Sequence, residues 1–154
     1  MLKLILPPEI IALLEQALRR AGHREVGGVL MAEHVGVNVY IVHDISIHRR
    51  GTFSSFFRRI EEAWATLNRF FKRTKQNYVR FNYIGEWHSH PSFEPLPSRQ
   101  DHSSMHEIIS DVLVGANFVV LVIVKLDTSG NLIGTVHTYL PNGSVQRSTL
   151  IVQR

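Results

Sequence analysis

The chain has 154 residues, 44% hydrophobic and 19% charged, with a formal net charge of +4 and an isoelectric point near 9.8. That length and composition suit one domain with a sizeable core and exclude a disordered chain. The absence of cysteine removes disulfides, thiolate zinc sites, cysteine-type proteolysis and the zinc nucleobase deaminases, whose ligand set needs a Pro-Cys-x-x-Cys segment.

Leu2, Leu4 and Leu6 alternate as in a short first strand. Pro7-Pro8 then interrupts the apolar start, before the roughly 7–15-residue core of a signal peptide could form. No apolar run reaches the ~18 residues of a membrane helix, so a cytoplasmic protein is expected. Pro8 suits the first position of an amphipathic helix, PPEIIALLEQALRRAG. Ile10, Leu13, Leu14, Ala17 and Leu18 form its stripe, and Gly22 is its stop. Residues 26–32 and 35–47 read as two strands joined tightly near His34. The Gly27-Gly28 pair marks either a bulge or a close backbone approach beside Glu25.

A second helix is expected over about residues 57–75, with Ile60, Trp64, Leu67 and Phe71 on one face. Glu61 and Glu62 near its start and Arg69, Lys72, Arg73 and Lys75 near its end suit the helix macrodipole. Residues 80–90 read as a strand stopped by Pro91, and about 99–115 as a third helix. FVVLVIVKL, residues 118–126, has the unbroken apolar character of a strand buried on both faces. Strands over 132–140 and 145–152 flank Asn142-Gly143, a hairpin signal. Without repeats or linkers, this alternation predicts a single layered α/β (α+β) domain over 1–154.

The chemistry concentrates in GEWHSHPSFEPLPSRQD. Side chains at i and i+2 of a strand share a face, so His88 and His90 project together and Ser89 points away. A loop with Pro95 and Pro97 follows, and Ser98 reads as a helix N-cap. Asp101 then falls in the first helical turn, back toward the histidines. Two imidazoles and a carboxylate leave a fourth tetrahedral position open, the mark of a catalytic rather than a structural zinc site. Ser-x-x-Asp is equally a capping box, so Ser98 has two open roles, oxyanion donor and helix cap. Two glutamates compete as general base: Glu25 in REVGGVL, and Glu86 on the same strand face as His88. His102 and His106 share a helix face without a third ligand and are expected at the surface or beside the site; Tyr83 and Trp87 are expected in the core.

The pattern Glu … His-Ser-His-x7-Ser-x-x-Asp resembles the JAMM motif of the JAB1/MPN/Mov34 metalloprotease family, with Glu25, His88, His90, Ser98 and Asp101 at the family spacing. The flanks, Glu25-Val-Gly-Gly-Val-Leu30 and Gly85-Glu-Trp-His88, resemble those of small stand-alone prokaryotic JAB proteins, and the similarity runs from about Glu25 to Tyr139. The resemblance implies a mixed β-sheet flanked by helices, similar to the cytidine-deaminase-like architecture. It also implies one zinc per chain on His88, His90 and Asp101, Glu25 as the base that activates the zinc-bound water, and Ser98 as its catalytic companion. The implied activity is that of a deubiquitinase-like isopeptidase, cutting peptide or isopeptide bonds at the C-terminus of a ubiquitin-like protein. Partner proteins of a conjugation or defence-type operon come with that reading. Two alternatives stand beside it: a catalytically silent MPN-type scaffold, against which the intact motif argues, and a zinc hydrolase of a small amide.

The basic residues are dispersed apart from Arg49-Arg50, Arg58-Arg59 and the 69–75 cluster. They read as solvated surface, with an anionic patch on a protein partner as the next reading. No groove-reading motif supports nucleic-acid binding.

Overall fold

The computed structural model describes residues 1–49 and 56–154, so Arg50 of the Arg49-Arg50 pair lies outside the described residues. The elements run β1 (Lys3–Leu6), α1 (Pro8–Ala21), β2 (Val26–Gly36), β3 (Val39–Ile45), β4 (His48–Arg49) and α2 (Phe56–Arg73). They continue with β5 (Phe81–Ser89), α3 (Arg99–Ser110), β6 (Val119–Leu126), β7 (Leu132–Tyr139) and β8 (Val145–Val152). The strands order as β3-β1-β8-β7-β6-β5-β2-β4, and β3 pairs with β2 as well. All strands but β4 therefore form a continuous cycle, and β4 is added beside the N-terminal half of β2. Pairings β1–β3, β1–β8 and β5–β6 are parallel and the others antiparallel, as a mixed sheet requires.

β6 explains the layering. Val119 to Val124 are all buried, and alternate side chains serve opposite faces. Val120, Val122 and Val124 meet Ile10, Ile11, Leu14, Ala17 and Leu18 of α1, together with Leu4, Leu30 and Trp87. Val119, Leu121 and Ile123 meet Met105, Ile108 and Ile109 of α3, with Tyr139. On the same face α2 packs Ala63, Leu67 and Phe70 on Val29 and Met31 of β2. Each such side chain contributes roughly 1.5–3 kcal/mol when fully removed from water, so both helix layers are fixed by apolar burial.

The α1 stripe takes Ile11 rather than Leu13, which is exposed. In α2 the fully buried residues are Ala63, Leu67 and Phe70, with the expected Ile60 and Phe71 partly buried against them; of the expected face only Trp64 departs, at 61% exposed, and the small Ala63 takes the contact position instead. α2 begins at Phe56, so its first turn holds no acidic residue, while Lys72 and Arg73 do occupy the last turn. β2 extends to Gly36 and turns at Val37-Asn38 rather than near His34, with Asn38 left-handed at φ 57°. Asparagine tolerates that conformation better than most residues. α3 stops at Ser110, five residues before the expected Gly115. There Asp111 turns extended, and its carboxylate accepts the Leu113 N–H at 2.8 Å, an Asx turn that competes with the helix.

The two glycines of β2 are sites of close approach. A Cβ on Gly27 would lie 2.5 Å from the Trp87 carbonyl oxygen, and one on Gly28 only 1.9 Å from that of Ser46. The register shift toward β5 falls between Leu30 and Met31, beyond them. Close approach lets Ser46 accept from Trp87 Nε1 at 2.9 Å and donate its backbone N–H to the Val29 carbonyl at 3.1 Å, while its Oγ accepts the Val29 N–H at 2.9 Å. The start of β2 is thereby locked against the strand that carries the histidines.

Candidate metal centre

β5 ends where the chemistry begins. Its antiparallel register sets Gly27 opposite His88, and Glu25, two residues before Gly27 and just ahead of β2, is near enough for its charge to act on His90. Its parallel partner β6 continues the anchoring, with the His90 N–H donating to the Val124 carbonyl at 3.0 Å. Ser89 faces away from the histidines and accepts the Val26 N–H on its Oγ at 3.1 Å. That bond joins β5 to the residue after Glu25. Glu25 itself is exposed and lines a cavity of about 200 Å³ with Arg20, Arg24, His48 and Arg49.

α3 completes the cluster. Ser98 is its N-cap in extended conformation, and both halves of the capping box form. The Asp101 N–H donates to Ser98 Oγ at 3.1 Å, and the Ser98 N–H donates to Asp101 Oδ2 at 2.8 Å. The cap therefore orients the carboxylate while it satisfies the helix end. Cap acceptance uses a lone pair of the Ser98 hydroxyl and leaves its proton for donation. The two roles that the sequence leaves open for Ser98 are thus compatible.

His88 Nε2 lies 3.2 Å from His90 Nε2 and 3.2 Å from Asp101 Oδ1, and His90 Nε2 lies 3.3 Å from Asp101 Oδ2. All three residues are buried. Ligands at ~2.0–2.1 Å from a tetrahedral zinc are about 3.3–3.4 Å apart, so the nitrogen–nitrogen distance, with one carboxylate oxygen near each nitrogen, fits the ion. Two facing imidazole nitrogens cannot both present lone pairs to each other without a proton or a cation between them. His90 also donates from Nδ1 to the Glu94 carbonyl at 3.0 Å. That bond fixes the tautomer and leaves the Nε2 lone pair facing the cluster, where it could hold a metal. The loop between is tied down by Lys125 Nζ on the Phe93 carbonyl at 3.2 Å and by Thr135 Oγ1 on the Pro95 carbonyl.

The electrostatics follow the contacts. Burial alone would raise the Asp101 carboxyl, but hydrogen bonds from His88 and His90, the charge of His88 and the Ser98 N–H hold it far below the usual range. His90 is raised, first by its hydrogen bond to Asp101, against burial, with the Glu94 carbonyl and the charges of Asp101 and Glu25 adding to it. Glu86 shares the face of His88 and is buried, but it accepts a hydrogen bond from Arg59 Nε at 2.8 Å. That ion pair engages Glu86, whereas Glu25 stands exposed at the rim.

Trp87 is in the core, Tyr83 is half-buried, and His102 and His106 both lie edge-on to the ring of Tyr139. The Ser89 tie, the Glu94 carbonyl and Tyr139 had no signal in the sequence, because each acts through a partner distant in sequence or through the backbone. Glu94 at least sits four residues after His90, inside a loop that two prolines constrain. No helix among the described residues is long and apolar enough to cross a membrane.

The family described as prokaryotic homologs of the JAB domain matches residues 7–138. A Vibrio cholerae protein named CD-NTase/cGAS isopeptidase is 35% identical over 91 residues, 56% of this chain and 56% of that protein. The match thus spans little more than half of that relative. A solution structure of a Desulfitobacterium hafniense protein superposes with a TM-score of 0.67 at 17% identity, covering 98% of this chain and 93% of the other. At that identity the likeness is one of fold. With most of its length matched, the chain belongs to the prokaryotic homologs of the JAB domain.

Proposed function

We propose that residues 1–154 act as one zinc-dependent isopeptidase domain that cuts the bond joining the C-terminus of a ubiquitin-like protein to its conjugate. The observation that carries this reading is the buried cluster of His88, His90 and Asp101, with Glu25 just before the adjoining strand β2. His88, His90 and Asp101 would hold the ion, which when bound lowers the pKa of water toward ~7 and polarises a carbonyl. Glu25 accepts the proton of the attacking water and hands it to the departing amine, which in an isopeptide is a lysine ε-nitrogen. The Ser98 hydroxyl donates a hydrogen bond to the oxyanion that develops on the scissile carbonyl. The Glu94 carbonyl keeps the His90 ring in register, and the Ser89 bond keeps the Glu25 strand end against β5.

An extended C-terminal tail can add to a strand edge through backbone hydrogen bonds, and glycines let it pass close to the site. The name of the Vibrio cholerae relative supports a conjugated CD-NTase as the protein on the other side of the bond. Purified protein is expected to carry about one zinc per chain, and His88→Ala or Asp101→Ala to lose it. Fusions of candidate ubiquitin-like proteins, and their CD-NTase conjugates, should be cut immediately after the C-terminal residue, as read by mass spectrometry. A zinc chelator should stop cleavage, and thiol alkylation should not, since the chain has no cysteine. Failure to take up zinc sinks the hydrolase reading. Zinc-dependent cleavage of short amides alone would move the assignment to a small-molecule hydrolase, and inert zinc-loaded protein would favour a scaffold.

A further inference from the structure

Behind the metal ligands lies a contact that the reaction described above does not use. Tyr139, the last residue of β7, is fully buried, and its hydroxyl lies 2.8 Å from His102 Nδ1. His102 immediately follows Asp101 in the first turn of α3. The Tyr139 ring is held edge-on by two imidazoles one helical turn apart, with centroids 5.7 Å from His102 and 5.4 Å from His106.

We propose that Tyr139 is a positioning residue for the Asp101 ligand, acting through His102 by anchoring the first turn of α3 to the sheet. The inference rests on the metal reading of the site. Its ground is where α3 is held. Met105, Ile108 and Ile109 pack on the sheet about a turn or more beyond Asp101. The Ser98–Asp101 bonds at the cap are internal to the helix start and move with it. The Tyr139 hydroxyl instead crosses from α3 to β7, next door to the carboxylate. A carboxylate whose two oxygens lie 3.2 and 3.3 Å from the two imidazole nitrogens tolerates little slippage as a zinc ligand, because zinc–ligand distances are held within about 0.2 Å.

The hydroxyl is suited to a fixed bond. Burial first, and the Asp101 charge second, raise its pKa far above any working pH, so it stays neutral and keeps a proton to donate. With the phenol as donor, His102 Nδ1 accepts in its Nε2–H tautomer. A buried phenol finds a partner as a rule, which accounts for the bond but not for its placement beside a ligand.

The test is zinc affinity, measured by competition with a chromophoric chelator on the full chain, together with the visible spectrum of the cobalt-substituted protein. Tyr139→Phe keeps the ring and deletes the hydroxyl. It should weaken zinc by roughly tenfold, the lower end of the effect of losing a direct partner of a ligand, because Tyr139 acts one residue removed from Asp101, and shift the cobalt bands while far-UV circular dichroism stays unchanged. His102→Asn, which keeps an acceptor near Nδ1, should retain affinity, and His102→Leu should lose it. His106→Leu removes an edge contact without a hydrogen bond and should bind as wild type. Wild-type zinc affinity in both Tyr139→Phe and His102→Leu would overturn the inference. If Tyr139→Phe fails to fold, the His102 pair decides, since equal affinity in its Asn and Leu variants overturns the inference as well. Wild-type protein that binds no zinc defeats the metal reading, and this inference with it.

Discussion

Glu25 and Glu86 are both carboxylates near His88 and His90, yet their surroundings separate them. Glu86 accepts from Arg59 and is buried, while Glu25 is exposed at the rim, close enough for its charge to act on His90. A base must reach water and exchange its proton twice in a cycle, which an exposed carboxylate does more readily than one locked to a guanidinium. Glu25→Gln should therefore keep zinc and fold but lose turnover by ~10²–10⁴, the span of general acid–base catalysis. Glu86→Gln should retain both zinc and most of the turnover. Single-turnover kinetics on zinc-loaded variants would check this, and the opposite ranking would transfer the role to Glu86. The choice between them was not legible from strand periodicity, which sets Glu86 on the face of His88 and says nothing of Arg59. Only the resemblance favoured Glu25, and the ion pair from α2 supplies the physical reason.

Elements were readable where the forces are local. The β5 alternation, the Ser98 cap and the ends of β8 follow from neighbours within a few residues. The turn at Val37-Asn38 was hidden by apolar flanks, Val35 and Val39 among them, and the end of α3 by the apolar run Val112-Leu113-Val114. Val112 and Leu113 are 90% and 84% exposed, so apolarity there reports neither helix nor core. The Gly27-Gly28 pair was ambiguous because its crowding partners, Ser46 and Trp87, are far along the chain. α3 carries a prediction of its own, since its cap serves helix and site at once. Ser98→Ala should cost about 1 kcal/mol of stability as a lost N-cap, and roughly 10²–10³ in turnover as a lost oxyanion donor. Ser98→Thr should preserve both. Urea unfolding reads the first effect and kcat the second, and full turnover in a destabilised Ser98→Ala protein would leave Ser98 as a cap alone.

At the scale of the whole molecule, polar ties reinforce the strand cycle away from the site. Glu33 of β2 is buried and accepts from His43 Nε2 of β3 at 2.7 Å and from Arg80 Nε, just before β5, at 2.7 Å. One carboxylate thus joins the central strand to both of its neighbours. The hydrogen bond from His43 lowers its pKa, burial opposes, and the hydrogen bond and charge of Arg80 lower it further. The sign of the linkage follows: a carboxylate with a lowered pKa in the folded state binds fewer protons there than in the unfolded chain. Its contribution is complete above the unfolded value, near ~4.3 for glutamate, and is lost as pH falls through the folded value. Glu33→Gln should be less stable than wild type in urea at pH 7, and that gap should hold down to about pH 5 and then narrow in acid. Neither effect involves the metal ligands, so zinc content should be unchanged in the variant. A gap that stays constant from neutral pH into acid would show that the loss comes from packing and that the charge of Glu33 does not help hold β2 between β3 and β5.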